Sequence, residues 1–138
     1  DISTPEAVTK TLRAAKAIAF PNGATGATAG VTFDAMLDKL SLGQELAPKL
    51  KRAAGGAAAM AMVAKGDVDF GATFLSEMTD PGITILGPLP ASIAPPTLEV
   101  AFVSAHTAHT QTAKDLIAFL SSAKAAEAYK AFHMIPLH

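Results

Sequence analysis

The sequence predicts an α/β fold built on a mainly parallel sheet, and three observations carry that reading. Short apolar runs alternate with amphipathic stretches of helical spacing along most of the chain. Two glycine-bearing loops, at 22–30 and at Gly55-Gly56, each open a helix after a strand-like run. Half of the 138 residues are apolar and thirty are alanine, which favours helices and close packing. A chain of this length suits one domain with a real core.

The elements follow in order. Asp1-Ile2-Ser3-Thr4-Pro5-Glu6 reads as a helix start rather than an export signal. Ser3 or Thr4 can cap, Pro5 suits the first turn, and Ser3 with Glu6 has capping-box spacing. So abrupt an opening is expected of a fragment or a processed product. A helix over 4–15 leads into a strand over 16–20. After the Gly/Thr loop, a helix over 29–40 places Phe33, Met36, Leu37 and Leu40 on one face, with Gly43 where a C-cap is expected. A shorter helix over 44–51 turns Leu46 and Leu50 inward, and a strand follows around 52–54. Gly55-Gly56 opens a helix over 57–65 that Gly66 closes. Strands are expected at 68–71 and 83–86, with a short turn at 76–78 between them. The stretch 89–96, with Pro90, Pro95 and Pro96, has no periodicity and reads as a connection. Residues 97–104 read as a strong strand through Leu98, Val100, Phe102 and Val103. From His109 the chain is helical to about Ala131, bent near Ser121-Ser122, with Leu116, Ile117, Phe119, Leu120, Ala126 and Tyr129 on the apolar side.

Charge and composition exclude several classes of partner. Eleven basic against twelve acidic residues give a net charge of −1, with no footprint for nucleic acid or anionic lipid. Lys49, Lys51 and Arg52 make the densest basic patch and read as a solvated helix face. No charge-free run of about 18 apolar residues is present. Cysteine is absent, so there is neither a disulfide framework nor a thiolate metal site.

The stretch from Ala17 to Phe33 carries the strongest functional signal. An apolar run, a loop of glycines and threonines, and a helix start together can hold an anion without a charged side chain. The first-turn N–H groups of a helix have no intrahelical partners, and its dipole favours negative charge there. Thr25 and Thr28 add hydroxyl donors, and Gly30 lets backbone come close. The glycines at 23, 26 and 30 do not fit G-x-G-x-x-G, and no Lys follows as in a P-loop. Gly55 and Gly56 supply a second backbone anion contact. Both loops would lie at the carboxyl ends of the strands, where open α/β sheets bind ligands.

Other chemistry is weaker. His106 and His109 lie three apart at a strand–helix junction, with His133 and His138 elsewhere, which suits capping and surface roles better than a metal site. No Ser sits in G-x-S-x-G. Asp67, Asp69 and Glu77 are conceivable acid–base groups, but nothing assembles a base, an orienter and an oxyanion hole, so an enzyme is disfavoured. No cofactor and no metal are expected.

Four segments, in this order, resemble the molybdate-binding family of periplasmic solute-binding proteins that serve ABC importers: IAFPNGATGATAGVTF, GGAAAMAMVAKGDVDFGATFLSEM, PGITILGPLP and VAFVSAHTAHTQTAKDLIAFLSSAKAAEAYKAFHM. The resemblance implies a type 2 periplasmic binding fold, with three-layer lobes, a mixed, mainly parallel sheet, and an oxyanion between two lobes. It implies that residues 1–96 are the second lobe. Residues 97–138 would then be the return crossing and the C-terminal helices of the first, whose N-terminal part is missing from this chain. It also implies backbone N–H donors at Ala29 and Gly56. A tyrosine hydroxyl of some molybdate binders falls at Phe74, which cannot donate that bond. This departure leaves a different oxyanion, or an organic anion, open.

The expected partners are therefore a small anionic ligand and the membrane subunits of an ABC importer, with a periplasmic location and no nucleic acid. Self-association through the C-terminal helices is expected as well, because the face bearing Leu116, Ile117, Phe119 and Leu120 would lack its partner lobe. Two alternatives of other classes stand beside this reading: an effector-binding domain of a regulator, and a small hydrolase or metal-dependent enzyme using His106 and His109.

Overall fold

The computed structural model describes residues 1–137; His138 lies outside them. The chain divides after Pro96 into two compact units, not the single domain that length alone suggests. Between the 3-10 turn at Leu75–Glu77 and the helix that begins at Thr110 the chain forms no helix or strand.

The first unit begins with helix α1 (Pro5–Ala14). Thr4 is its N-cap: the Thr4 side chain accepts from the Ala7 N–H at 3.2 Å, and Pro5 takes the first position. With the cap at Thr4, Glu6 lies one position too early for the capping box. Strand β1 (Ile18–Pro21) is buried along its whole length. A 3-10 turn (Gly23–Thr25) follows, then helix α2 (Thr28–Lys39), the short helix α3 (Gly43–Leu46), a second 3-10 turn (Ala47–Lys49) and strand β2 (Leu50–Ala53). Helix α4 (Gly56–Ala64), strand β3 (Phe70–Gly71) and a third 3-10 turn (Leu75–Glu77) complete the unit.

Several boundaries differ from the sequence expectation for local reasons. Ser41, at φ 56°, takes the left-handed position after α2, and the Leu42 N–H closes on the Leu37 carbonyl at 2.8 Å. Leu42 is fully buried by that turn, and Gly43 starts α3 instead of capping α2. Pro48 stops the next helix early, so β2 begins at Leu50. Gly66, at φ 76°, does close α4: its N–H donates to Val63 and that of Asp67 to Met62.

The three strands lie in the order β2-β1-β3, all parallel. Pro21 stands opposite Ala53 and Ala19 opposite Gly71, so all three chains leave the sheet along one carboxyl edge. Because side chains alternate along a strand, β1 feeds two cores. Ile18 and Phe20 pack with Val8, Leu12, Phe33, Met36, Leu37, Leu42 and Leu46 from α1, α2 and their neighbours. Ala19 packs with Ala53, Ala59, Met60 and Val68 on the α4 side. The result is a three-layer α/β lobe with helices on both faces of a small parallel sheet.

The expected strands at 83–86 and 97–104 do not form. Ile85 and Leu86 are exposed, and Leu98, Val100 and Phe102 are 66, 78 and 85% exposed. A β-prone pattern becomes a strand only against a neighbour that pairs with it, and neither segment meets one. The second unit contains helices α5 (Thr110–Leu120) and α6 (Ala123–Ala131), with the bend at Ser121-Ser122 as expected. Ser122 caps α6, and the Tyr129 hydroxyl donates to the Leu120 carbonyl at 2.8 Å. Leu116, Phe119 and Leu120 are exposed.

Candidate functional site

The carboxyl edge of the sheet gathers most of the residues singled out above, because parallel strands deliver every following loop to one side. β1 releases Asn22 beside β2, where the Asn22 N–H donates to the Ala53 carbonyl at 2.9 Å. The loop then folds back on the first turn of α2. A Cβ added at Gly23 would lie 2.8 Å from the Val31 nitrogen, and one at Gly30 would meet the Pro21 carbonyl and the Gly23 nitrogen, the latter at 2.6 Å. Gly30 is buried; its lack of a side chain is what lets α2 start directly over the end of β1. Gly26, at φ 91°, makes the left-handed turn that aims the chain at α2.

The two threonines differ. Thr25 donates its hydroxyl proton to the Asn22 carbonyl at 2.9 Å, which holds the 3-10 turn and leaves only lone pairs to face outward. Thr28 is exposed at the first position of α2. Ala27 is the N-cap, without a side-chain cap, and the first helical donor is Val31. The N–H groups of Thr28, Ala29 and Gly30 thus form the open first turn of a 12-residue helix.

α4 opens in the same manner. Gly55 is its N-cap in extended backbone, again without a side-chain cap, and the buried Gly56 is its first residue. Two side chains that sequence reasoning did not place here face Gly56: a Cβ on Gly56 would run into Glu77 Oε2 and Thr73 Oγ1, while the Thr73 hydroxyl donates to the Glu77 carboxylate. Both come from the chain leaving β3, whose path across the sheet is a tertiary property. The T-x-x-x-E spacing around a short turn was the only local signal. Phe74 lies between them, half-buried at the start of the turn over Leu75–Glu77.

The remaining candidates lie elsewhere. Asp69 accepts from the backbone N–H of Lys16, a structural bond at the amino end of the sheet. Asp67 is exposed in the turn after Gly66. The His106 and His109 N–H groups bond to the Ser104 and Thr107 hydroxyls in exposed turns, and no three metal-ligating side chains cluster among the described residues. A surface depression of about 480 Å³ between α2, α3 and β2 is lined by Asp34, Asp38 and Arg52, among others. Arg52 is already committed there: it meets Asp34 through two 2.8 Å bonds and stacks 4.8 Å from the centre of the Phe20 ring. The hydrogen bond to Asp34 raises the Arg52 pKa further, and the paired guanidinium leaves no free cation in the depression.

Residues 1–135 match the family described as bacterial extracellular solute-binding protein. The chain belongs to this family. No curated protein and no solved structure gives a significant match. As a member of the solute-binding family, the chain has an extracytoplasmic role of the ABC type, with a small ligand and transporter membrane subunits as partners. Among the described residues no helix is long and apolar enough to cross a membrane.

Proposed function

We propose that this solute-binding protein captures a small oxyanion of the molybdate or tungstate kind in the periplasm, and that the carboxyl edge of the 1–96 unit is one wall of its cleft. Residues 1–96 are then the second lobe, and residues 97–138 belong with the first. The observation that carries the reading is the pair of helices, α2 and α4, that open at one carboxyl edge from opposite faces of the sheet, with no side-chain cap on either. Backbone N–H groups at Ala29 and Gly56 are the donors, supported by Thr28, with Thr25 and Gly30 shaping the first loop and Gly55 the second. Neutral donors suit a dianion, and selection among tetrahedral anions then rests on cavity size and donor number. Phe74 brings an apolar ring where a hydroxyl would extend that set, which favours a carboxylate with an apolar body as the second ligand class.

The test is thermal unfolding of the full-length protein with molybdate, tungstate, sulfate, phosphate and a series of carboxylates. One anion is expected to raise the melting temperature. The stabilisation grows with the logarithm of its concentration, to about 2.7 kcal/mol at a hundred times Kd. The absence of a shift with every anion in the series overturns the reading.

A further inference from the structure

The Glu77 carboxylate occupies a place that the anion-binding reading does not explain. It lies against Gly56, the first residue of α4, at a position that any side chain on residue 56 would fill. The Thr73 hydroxyl donates to it across the turn, and the turn itself is closed by the Glu77 N–H donating to the Phe74 carbonyl at 2.9 Å. No cation balances it: the ion pairs among the described residues join Arg13 with Glu45, Arg52 with Asp34 and Lys130 with Glu127. Its neighbours are the open N-terminus of α4 and one hydroxyl. The residue is half-buried, so the side chain has solvent to swing into.

We propose that Glu77 is an internal counter-anion of the binding edge, holding the α4 corner while the site is empty and competing with the incoming anion for it. Glu77 thereby sets how much negative charge the site accepts. This inference rests on the anion-binding reading above. A small dianion at the α4 corner sits within a few ångströms of the carboxylate, and like charges at that range in a half-desolvated site repel strongly enough to cost at least about tenfold in affinity. Binding therefore moves Glu77 off Gly56 and breaks its bond with Thr73.

Calorimetric titration of the full-length protein with molybdate, sulfate and phosphate tests this, comparing wild type with Glu77→Gln. Glutamine keeps the length and an acceptor for Thr73 and removes only the charge. The variant is expected to bind the dianion at least about tenfold more tightly. The gain should shrink between roughly 0.01 and 1 M salt, as the screening length falls from about 30 to about 3 Å. Binding by Glu77→Gln alone also supports the proposal. Equal or weaker binding by the variant, with wild-type binding intact, overturns it and leaves the anion-binding reading standing; no binding by either protein overturns both. Should the variant not fold, a crystal structure of the wild type with its anion decides. Glu77 displaced from Gly56 supports the proposal, and Glu77 in place beside a bound anion overturns it.

Discussion

Gly30 and Gly56 both sit in the opening turn of a helix at the carboxyl edge of the sheet, yet they are crowded by different things. Around Gly30 the neighbours are backbone: the Pro21 carbonyl and the Gly23 nitrogen, both fixed by β1 and the loop. Around Gly56 they are the ends of two side chains, Glu77 and Thr73. The first glycine welds α2 to the strand beneath it. The second leaves room for groups that can move. One corner of the edge is therefore rigid scaffold, and the other is adjustable.

Substitution should separate the two. Gly30→Ala forces its Cβ into main chain that cannot rotate away, and is expected to cost about 3 kcal/mol, at the upper end for overpacking, read as a lowered denaturant midpoint. Gly56→Ala should cost about 1 kcal/mol or less in the same assay, because Glu77 can turn into solvent. It should change anion affinity instead, by filling the corner from which Glu77 is displaced. Equal stability losses at the two positions would break the contrast. A third variant calibrates the assay away from either corner. Arg13 and Glu45 pair through two 2.8 Å bonds on helices that lead into the amino ends of β1 and β2. The Arg13 hydrogen bond lowers the Glu45 pKa. A lowered carboxylate pKa stabilises the fold above the unfolded-state value, and that contribution is lost as pH falls through the folded-state value. Glu45→Gln should thus show the smallest loss of the three near neutral pH, since the pair is exposed, and none once acid has protonated Glu45 in the wild type.

Much of this edge was legible in the chain, and the illegible part has a common cause. The Gly/Thr loop, Gly55-Gly56 and Gly66 each announce a local backbone event, a turn or a helix end, and local events are written in adjacent residues. Thr73 and Glu77 could not be placed at Gly56 from sequence. Their position depends on β3 pairing with β1 while α4 spans from β2, a contact between segments about twenty residues apart in sequence. Thr25 shows the converse, a local bond that residue type alone does not reveal. Its hydroxyl matched the chemistry of a ligand donor, but the Asn22 carbonyl three residues earlier already takes its proton. The run over 97–104 has a strong strand pattern and forms no strand, since propensity selects among conformations only when a partner edge is present.

The sequence alone determined the α/β alternation, a helix cap at Ser3 or Thr4, the helix end at Gly66, the two glycine-bearing helix openings and the near-neutral charge. All of these follow from neighbouring residues and composition. Only the tertiary structure decided that three parallel strands deliver both openings to one edge and that Phe20 and Ala19 serve opposite cores. It also decided that a carboxylate from a third loop stands against Gly56. Each of these needs chain segments distant in sequence to meet, and that is settled by burial and strand pairing over the whole unit rather than by any local pattern.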